Sequence, residues 1–228
     1  MTIANNTLAQ LRADLDRRLN QVAAPGLWTA AEENTFLNRA ILRLTMDSEL
    51  DTADTAINIR VNVSWYFLPS DCLVPLFLYG PSAQWQQQKL FPTSMIALDR
   101  EERLWESNSS TISTRFIPFS YNRFILWPPP RTTTTMNIHY VPVPTTLSAD
   151  GDTTVLPLWA QKAIPAYGTY LALRRYDGKK ARLFLAEYKQ QLAVALSEKR
   201  NTTVYHTTKL RPAGKFEKSH GSPRFQRG

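Results

Sequence analysis

The sequence predicts an α+β protein: a helical bundle of two N-terminal and two C-terminal helices, an inserted mainly antiparallel β domain, and an extended C-terminal arm. Three observations carry that reading. Apolar residues recur at three- and four-residue spacing near both ends of the chain, a two-residue period replaces it in between, and neither period continues past Arg200. The expected organisation is a helical pair over 1–50, a β-rich insert over 51–154, a second helical pair over 155–200 forming one frame with the first, and a basic arm over 201–228.

The first helix carries Leu8, Leu11, Leu15, Leu19 and Val22 on one face, with Asn5, Asn6 or Thr7 as its cap and Pro25-Gly26 as its end. The second opens on Thr29-Ala30-Ala31-Glu32, a capping box in which threonine accepts from a backbone amide and glutamate returns the bond. Its stripe is Phe36, Leu37, Ala40, Ile41 and Leu44. From Ile57 to Trp65 every odd position is apolar and every even one polar, the pattern of one half-buried strand. Further strands are expected at 76–79, 114–119, 123–127 and 136–141, with a hairpin turning at Ser120-Tyr121-Asn122 and one short helix over 94–106. Pro128-Pro129-Pro130 closes a strand, because proline has no N–H to give a ladder. After Leu156-Pro157, helical spacing resumes through Trp159, Ala163, Ile164, Tyr167, Tyr170, Leu171 and Arg174, with a kink expected at Pro165. Asp177-Gly178 breaks it, and a last helix spans about Lys179 to Lys199 with Ala181, Phe184, Leu185, Tyr188, Leu192, Ala195 and Leu196 on one face. Each pair of helices has an apolar stripe in need of a partner, so the pairs are expected to pack together.

The 228 residues are 43% hydrophobic and 20% charged, enough to build a core rather than a disordered chain. The single Cys72 excludes a disulfide framework and reads as a buried inert thiol. No stretch approaches the roughly 20 apolar residues of a membrane span, and no membrane partner is expected. The start lacks a charged region followed by an apolar one, so no signal peptide is predicted, and the expected location is inside a cell or a particle assembled there.

The net charge of +8 is unevenly placed: residues 1–50 carry −1, 51–154 carry −2, 155–199 carry +5 and 200–228 carry +6. A nearly neutral body with a basic final third argues for a localised basic surface. One part of it brackets the Tyr176-Asp177-Gly178 turn: Arg174, Arg175, Lys179, Lys180 and Arg182, more positive charge than a helix end needs, expected to face a polyanion or an acidic partner as a channel or inter-subunit surface. The other is the arm, where Lys209, Arg211, Lys215, Lys218, Arg224 and Arg227 interleave with Tyr205, Phe216 and Phe225. Basic residues among aromatics suit single-stranded nucleic acid and equally an acidic protein groove with the rings as anchors. Fully extended, such an arm reaches on the order of 90 Å, far enough to cross onto a neighbouring subunit.

Catalytic and metal sites are not expected, and no cofactor is expected. His139, His206 and His220 have no second histidine or cysteine at ligand spacing, and no phosphate-loop, dinucleotide or nucleophile-elbow motif occurs. Asp99-Arg100-Glu101-Glu102 reads as a solvated helix face, and Ser70-Asp71 as a turn or cap.

The ordered series of motifs resembles phage head-to-tail adaptor (connector) proteins of short-tailed phages. Leu27-Trp28-Thr29-Ala30-Ala31-Glu32 through Asn38-Arg39-Ala40 is similar to that family's "W-T-x-x-E … L-N-x-A" opening. Tyr66-Phe67-Leu68-Pro69-Ser70-Asp71 resembles its "Y-x-L-P-x-D" strand end, and Ile125-Leu126-Trp127-Pro128-Pro129-Pro130 its "L-x-L-x-P-x-P" strand. The resemblance covers roughly residues 7–199 and leaves the arm outside. It implies a virion protein at the portal vertex between head and tail, assembled in the host cytoplasm as a homo-oligomeric twelve-subunit ring. Portal protein above, tail or nozzle proteins below, and double-stranded DNA passing through the channel without sequence specificity are the implied partners. It further implies that the C-terminal segment grips the portal, which makes an acidic protein groove its target ahead of nucleic acid.

Two other readings stand beside this one. A nucleic-acid-binding module would use the basic C-terminal third and bind with steep salt dependence. A carbohydrate-binding tail protein would use Trp65, Tyr66, Tyr79, Trp85, Trp127 and Tyr140, although alternating strand aromatics are expected in a core.

Overall fold

The computed structural model describes residues 5–20, 27–80, 89–101, 113–120 and 122–209, with backbone alone over 202–209. In chain order the elements are α1 (Leu8–Asn20), α2 (Ala30–Ser48), β1 (Ala53–Ile59), β2 (Trp65–Phe67), β3 (Cys72–Tyr79) and α3 (Met95–Glu101). They continue with β4 (Arg115–Ser120), β5 (Arg123–Trp127), β6 (Thr134–Pro142), α4 (Leu158–Gln161), α5 (Ala163–Leu173) and α6 (Gly178–Lys209). The fold is mixed helix and sheet, and both sheets are antiparallel.

Thr7 caps α1. Its Oγ1 accepts from the Gln10 N–H at 3.3 Å and Gln10 Oε1 accepts from the Thr7 N–H at 2.9 Å, a reciprocal box that satisfies two otherwise orphaned donors. Two more N–H groups of the first turn are taken up across the chain, Leu8 by the Asp152 carbonyl and Ala9 by that of Asp150. Thr29 caps α2 with the expected box to Glu32. The stripe Leu8, Leu11, Leu15 and Leu19 is fully buried against Leu37, Ala40, Ile41 and Leu44 of α2. Ile164 and Leu173 of α5, with Ala181, Tyr188 and Ala195 of α6, complete the same core. Gly168 of α5 faces both α1 and α2: a Cβ there would sit 3.4 Å from Leu15 and 3.6 Å from Leu37. Val22 and the Pro25-Gly26 turn lie outside the described residues.

Two helical expectations are corrected. The break expected at Pro165 falls at Lys162, between α4 and α5. A proline in a helix can neither bond to nor approach the carbonyl four residues earlier, which is Gln161, the last residue of α4; Pro165 itself sits in the first turn of α5. The last helix, expected to end near Lys199 before an extended arm, runs on to Lys209. Each added residue gains one backbone bond in a helix already nucleated, and the first breakers past Lys199, Pro212 and Gly214, come later still. Weak formers such as Asn201, Thr202 and Thr203 do not stop it.

The alternating run 57–65 is also divided. β1 ends at Ile59, the chain turns through Val61 and Asn62, and β2 starts at Trp65. Asn62 has φ 55°, the left-handed region that asparagine tolerates better than most residues. The Tyr66 hydroxyl closes the turn, accepting from the Arg60 N–H at 3.1 Å and lying 2.7 Å from the Val63 carbonyl as donor. The period persists through a turn because Val61 and Val63 point outward, exposed rather than half-buried.

One sheet has the order β1-β6-β3 and the other β2-β5-β4. The β4–β5 hairpin pairs Phe116 with Leu126, Ile117 with Ile125 and Pro118 with Phe124. Pro75 and Pro118 both lie in edge strands next to a shift of register, positions where a missing N–H costs no central ladder bond. Ile59, Tyr66, Leu78, Phe116, Phe124, Leu126, Met136, Ile138 and Tyr140, drawn from both sheets, form a second core. The opposite face of the β4–β5 hairpin, Ile117, Ile125 and Trp127, packs on Leu98 of α3. The short helix expected over 94–106 is described as far as Glu101.

Candidate partner-binding surface

Two residues that carry the sequence resemblance, Asn38 and Asp71, make long-range ties, one within the helical core and one within the β-rich region. Asn38, half-buried on α2, forms a closed pair with the backbone of Leu147: its Nδ2 donates to the carbonyl and its Oδ1 accepts from the N–H, both at 2.9 Å. That pair fastens the segment leaving β6 to the helices. The Asp71 carboxylate accepts from the Tyr140 hydroxyl at 3.0 Å, and its backbone carbonyl accepts from the Val143 N–H at 2.7 Å. Ser70-Asp71 is thus the turn it was expected to be, since the Cys72 N–H donates back to the Pro69 carbonyl. Cys72 is half-buried, and desolvation, with the Asp71 charge second, pushes its thiol up to about 11. A thiol so held stays protonated and unreactive at neutral pH.

The basic turn stands as a group. Arg174, Arg175, Lys179, Lys180 and Arg182 are all exposed where α5 passes into α6. Asp177 caps α6, its Oδ1 accepting from the N–H groups of Lys179 at 3.1 Å and Lys180 at 3.0 Å. Those two bonds lower the Asp177 pKa from its ordinary value. Three cations in and beside the first turn of α6, with no acid in that turn, oppose the helix dipole. Asp177, 3.8 Å from the Lys180 ammonium, is a single acid against five cations around the turn.

Beside the turn lies a cavity of about 440 Å³ between the start of α2 and the end of α5. Phe36 and Ala172 form its apolar floor, Trp28 and Tyr176 meet edge to face at 5.8 Å, and Arg39, Arg174 and Arg175 line it. Sequence reading did not bring Trp28, Phe36, Arg39 and Tyr176 together at one cavity, although Phe36 does pack on the helical core as its stripe predicts. Trp28 and Phe36 read as helix opening and core stripe, and no local pattern links them to a turn some 140 residues later.

The remaining expected site residues divide by position. Tyr205 and Lys209 belong to the backbone of α6, not to an extended arm. Arg211, Lys215, Phe216, Lys218, Arg224, Phe225 and Arg227 lie outside the described residues, as do Trp85 and His220. His139 faces Asp54, with Nδ1 3.1 Å from its carboxylate, and stacks on Phe77 at 4.6 Å. Asp99 and Arg100 lie exposed on α3. Of the β-region aromatics, Tyr66, Trp127 and Tyr140 are core as expected, but Trp65 is 48% exposed beside Phe67 and Phe119. Trp65 is on the face that α3 only partly covers, paired with Ile125 across the sheet.

Among the described residues no three metal-ligating side chains cluster, and no helix is long and apolar enough to cross a membrane. An exposed cationic turn beside a cavity with an apolar lining is the geometry of a surface that binds another macromolecule. The chain belongs to the SU10 adaptor protein family, whose sequence pattern matches residues 6–212, and is thus a phage structural adaptor. No curated protein matches the sequence.

Proposed function

We propose that the protein is a head-to-tail adaptor that forms a twelve-subunit ring between the portal and the tail or nozzle proteins of a short-tailed phage and continues the DNA channel. The observation that carries the proposal is the family match, which spans both the helical and the β-rich regions and runs past Lys209. In this reading the helices of 1–50 and 155–200 act as one frame, 51–154 faces the tail side, and the basic C-terminal stretch engages the portal. Tyr205, Lys209, Arg211, Lys215, Phe216, Lys218, Arg224, Phe225 and Arg227 make that contact, charge bringing the stretch in and buried rings holding it. Because α6 continues to Lys209, the segment to remove begins at residue 210 rather than 201.

The test is to mix the chain, or a version ending at Lys209, with portal rings and examine both by electron microscopy. A ring on the portal for the full chain, and none for a truncated chain that melts at the same temperature, is the expected result. Normal assembly by the truncated chain refutes the role of the C-terminal stretch. Steeply salt-dependent binding to free DNA, with no portal complex, would instead favour a nucleic-acid-binding module.

A further inference from the structure

We propose that the groove between α2 and the α5–α6 turn is a docking site for an acidic peptide segment of a partner protein, one that inserts an aromatic or aliphatic side chain between carboxylates. The cavity, about 440 Å³, has room for one or two side chains over an apolar floor of Phe36 and Ala172. Trp28 is half-buried at one wall, and Tyr176, 66% exposed, stands edge-on to it as a rim that an incoming side chain would cover. Three guanidinium groups, Arg39, Arg174 and Arg175, line the same space. No carboxylate pairs with any of the three among the described residues. Glu32, the acid in the groove lining, is already engaged: its Oε2 accepts from the Thr29 N–H at 2.8 Å and from the Thr29 hydroxyl at 2.9 Å. Those bonds lower its pKa and aim its charge at the helix cap.

The exposed Lys179, Lys180 and Arg182 extend the positive field from the groove along the first turn of α6. Charge complementarity therefore selects an anionic occupant. Arginine forks donate to carboxylates in bidentate geometry, and an apolar side chain buried at the centre of a charged rim is the usual anatomy of a tight contact. The shape favours peptide over nucleic acid. Strand binding without base readout needs open aromatic faces along a continuous track, whereas here the two rings are edge to face around one concavity. This site lies on the folded body and is distinct from the C-terminal stretch proposed for the portal.

A random twelve-residue peptide library selected on the full chain tests it. The expected enrichment is for peptides with acids flanking a phenylalanine, tryptophan or leucine. Their binding should fall at least about tenfold in Arg174→Glu/Arg175→Glu and in the surface variant Arg39→Glu, both with unchanged melting, and should weaken with salt. The proposal is overturned by no acidic enrichment, by enriched peptides indifferent to both variants, or by binding of a twenty-residue oligothymidylate in place of peptides, lost in the same variants. Self-association lost in the variants, and not competed by any selected peptide, would make the groove a contact between copies and overturn it too. All these readouts use the chain alone, so they stand or fall separately from assembly on the portal.

Discussion

Lys199 closes the C-terminus of α2 from 150 residues away: its ammonium donates to the carbonyls of Ser48 and Glu49, each at 2.9 Å. Helix α2 ends on Glu49 in the left-handed conformation, with φ 50°, and its N–H returns to the Thr45 carbonyl. A helix terminus leaves carbonyls without partners and carries partial negative charge, and a cation placed there answers both. The same contact fastens α6 to α2 just before α6 leaves the core.

Lys199→Met keeps the stem and removes the donors, and it should cost about 1.5–3 kcal/mol, the range for hydrogen bonds involving charged groups. Urea unfolding with an unchanged slope would show the loss. A variant as stable as the parent would mean that water replaces the ammonium without penalty.

Glu33 supplies a pH dependence. It is buried on α2, and desolvation first, then a hydrogen bond and repulsion from Asp16, push its carboxyl up to about 7, against a smaller pull from Arg12. A carboxyl whose folded pKa exceeds its unfolded one adds stability that is fully present below the unfolded value near 4.5 and is lost as pH rises through about 7. Glu33→Gln should remove that slope and be the more stable protein at pH 8, by on the order of 1 kcal/mol or more. Unfolding measured from pH 5 to pH 8 checks it; parallel curves for the two proteins refute it.

Tyr66→Phe should loosen the turn at 60–64. It leaves the ring on Phe124, 5.6 Å away, and removes only the oxygen that binds Arg60 and Val63. The expected cost is about 1–3 kcal/mol for backbone groups left unpaired, with faster amide exchange at Arg60 than in the centre of the sheet.

Asn38→Leu should also lower stability by about 1–3 kcal/mol, because both backbone groups of Leu147 lose their partner. Asn38→Asp keeps the acceptor for the Leu147 N–H and loses the donor to its carbonyl, so thermal melting should place it between the parent and the leucine variant.

Much of the helical structure was legible because its causes are local. The leucines from Leu8 to Leu19 share a face through spacing alone, and Thr29 and Glu32 form their box across three residues. The hairpin of β4 and β5 was legible for the same reason. The strand break at Asn62 was not, since an alternating pattern does not say whether its outward valines stand on a strand or on a turn. The helix beyond Lys199 was missed because its lost periodicity reflects the end of a buried face, not the end of the hydrogen-bonded ladder.

The basic turn could be named from composition, because five cations fall within nine residues around the Asp177-Gly178 break. The groove could not. Phe36 and Arg39 come from α2, Arg174 and Tyr176 from the end of α5, and only the packing of those helices on the shared leucine core brings them to one cavity. By itself, then, the sequence determined the helix faces, the Thr29–Glu32 capping box and the charged turn, all of which depend on neighbours within about one or two helical turns. Tertiary structure alone decided where the strand breaks, which cation closes α2 and what lies beside the basic turn, because each rests on groups that meet only after the chain has collapsed around its two cores.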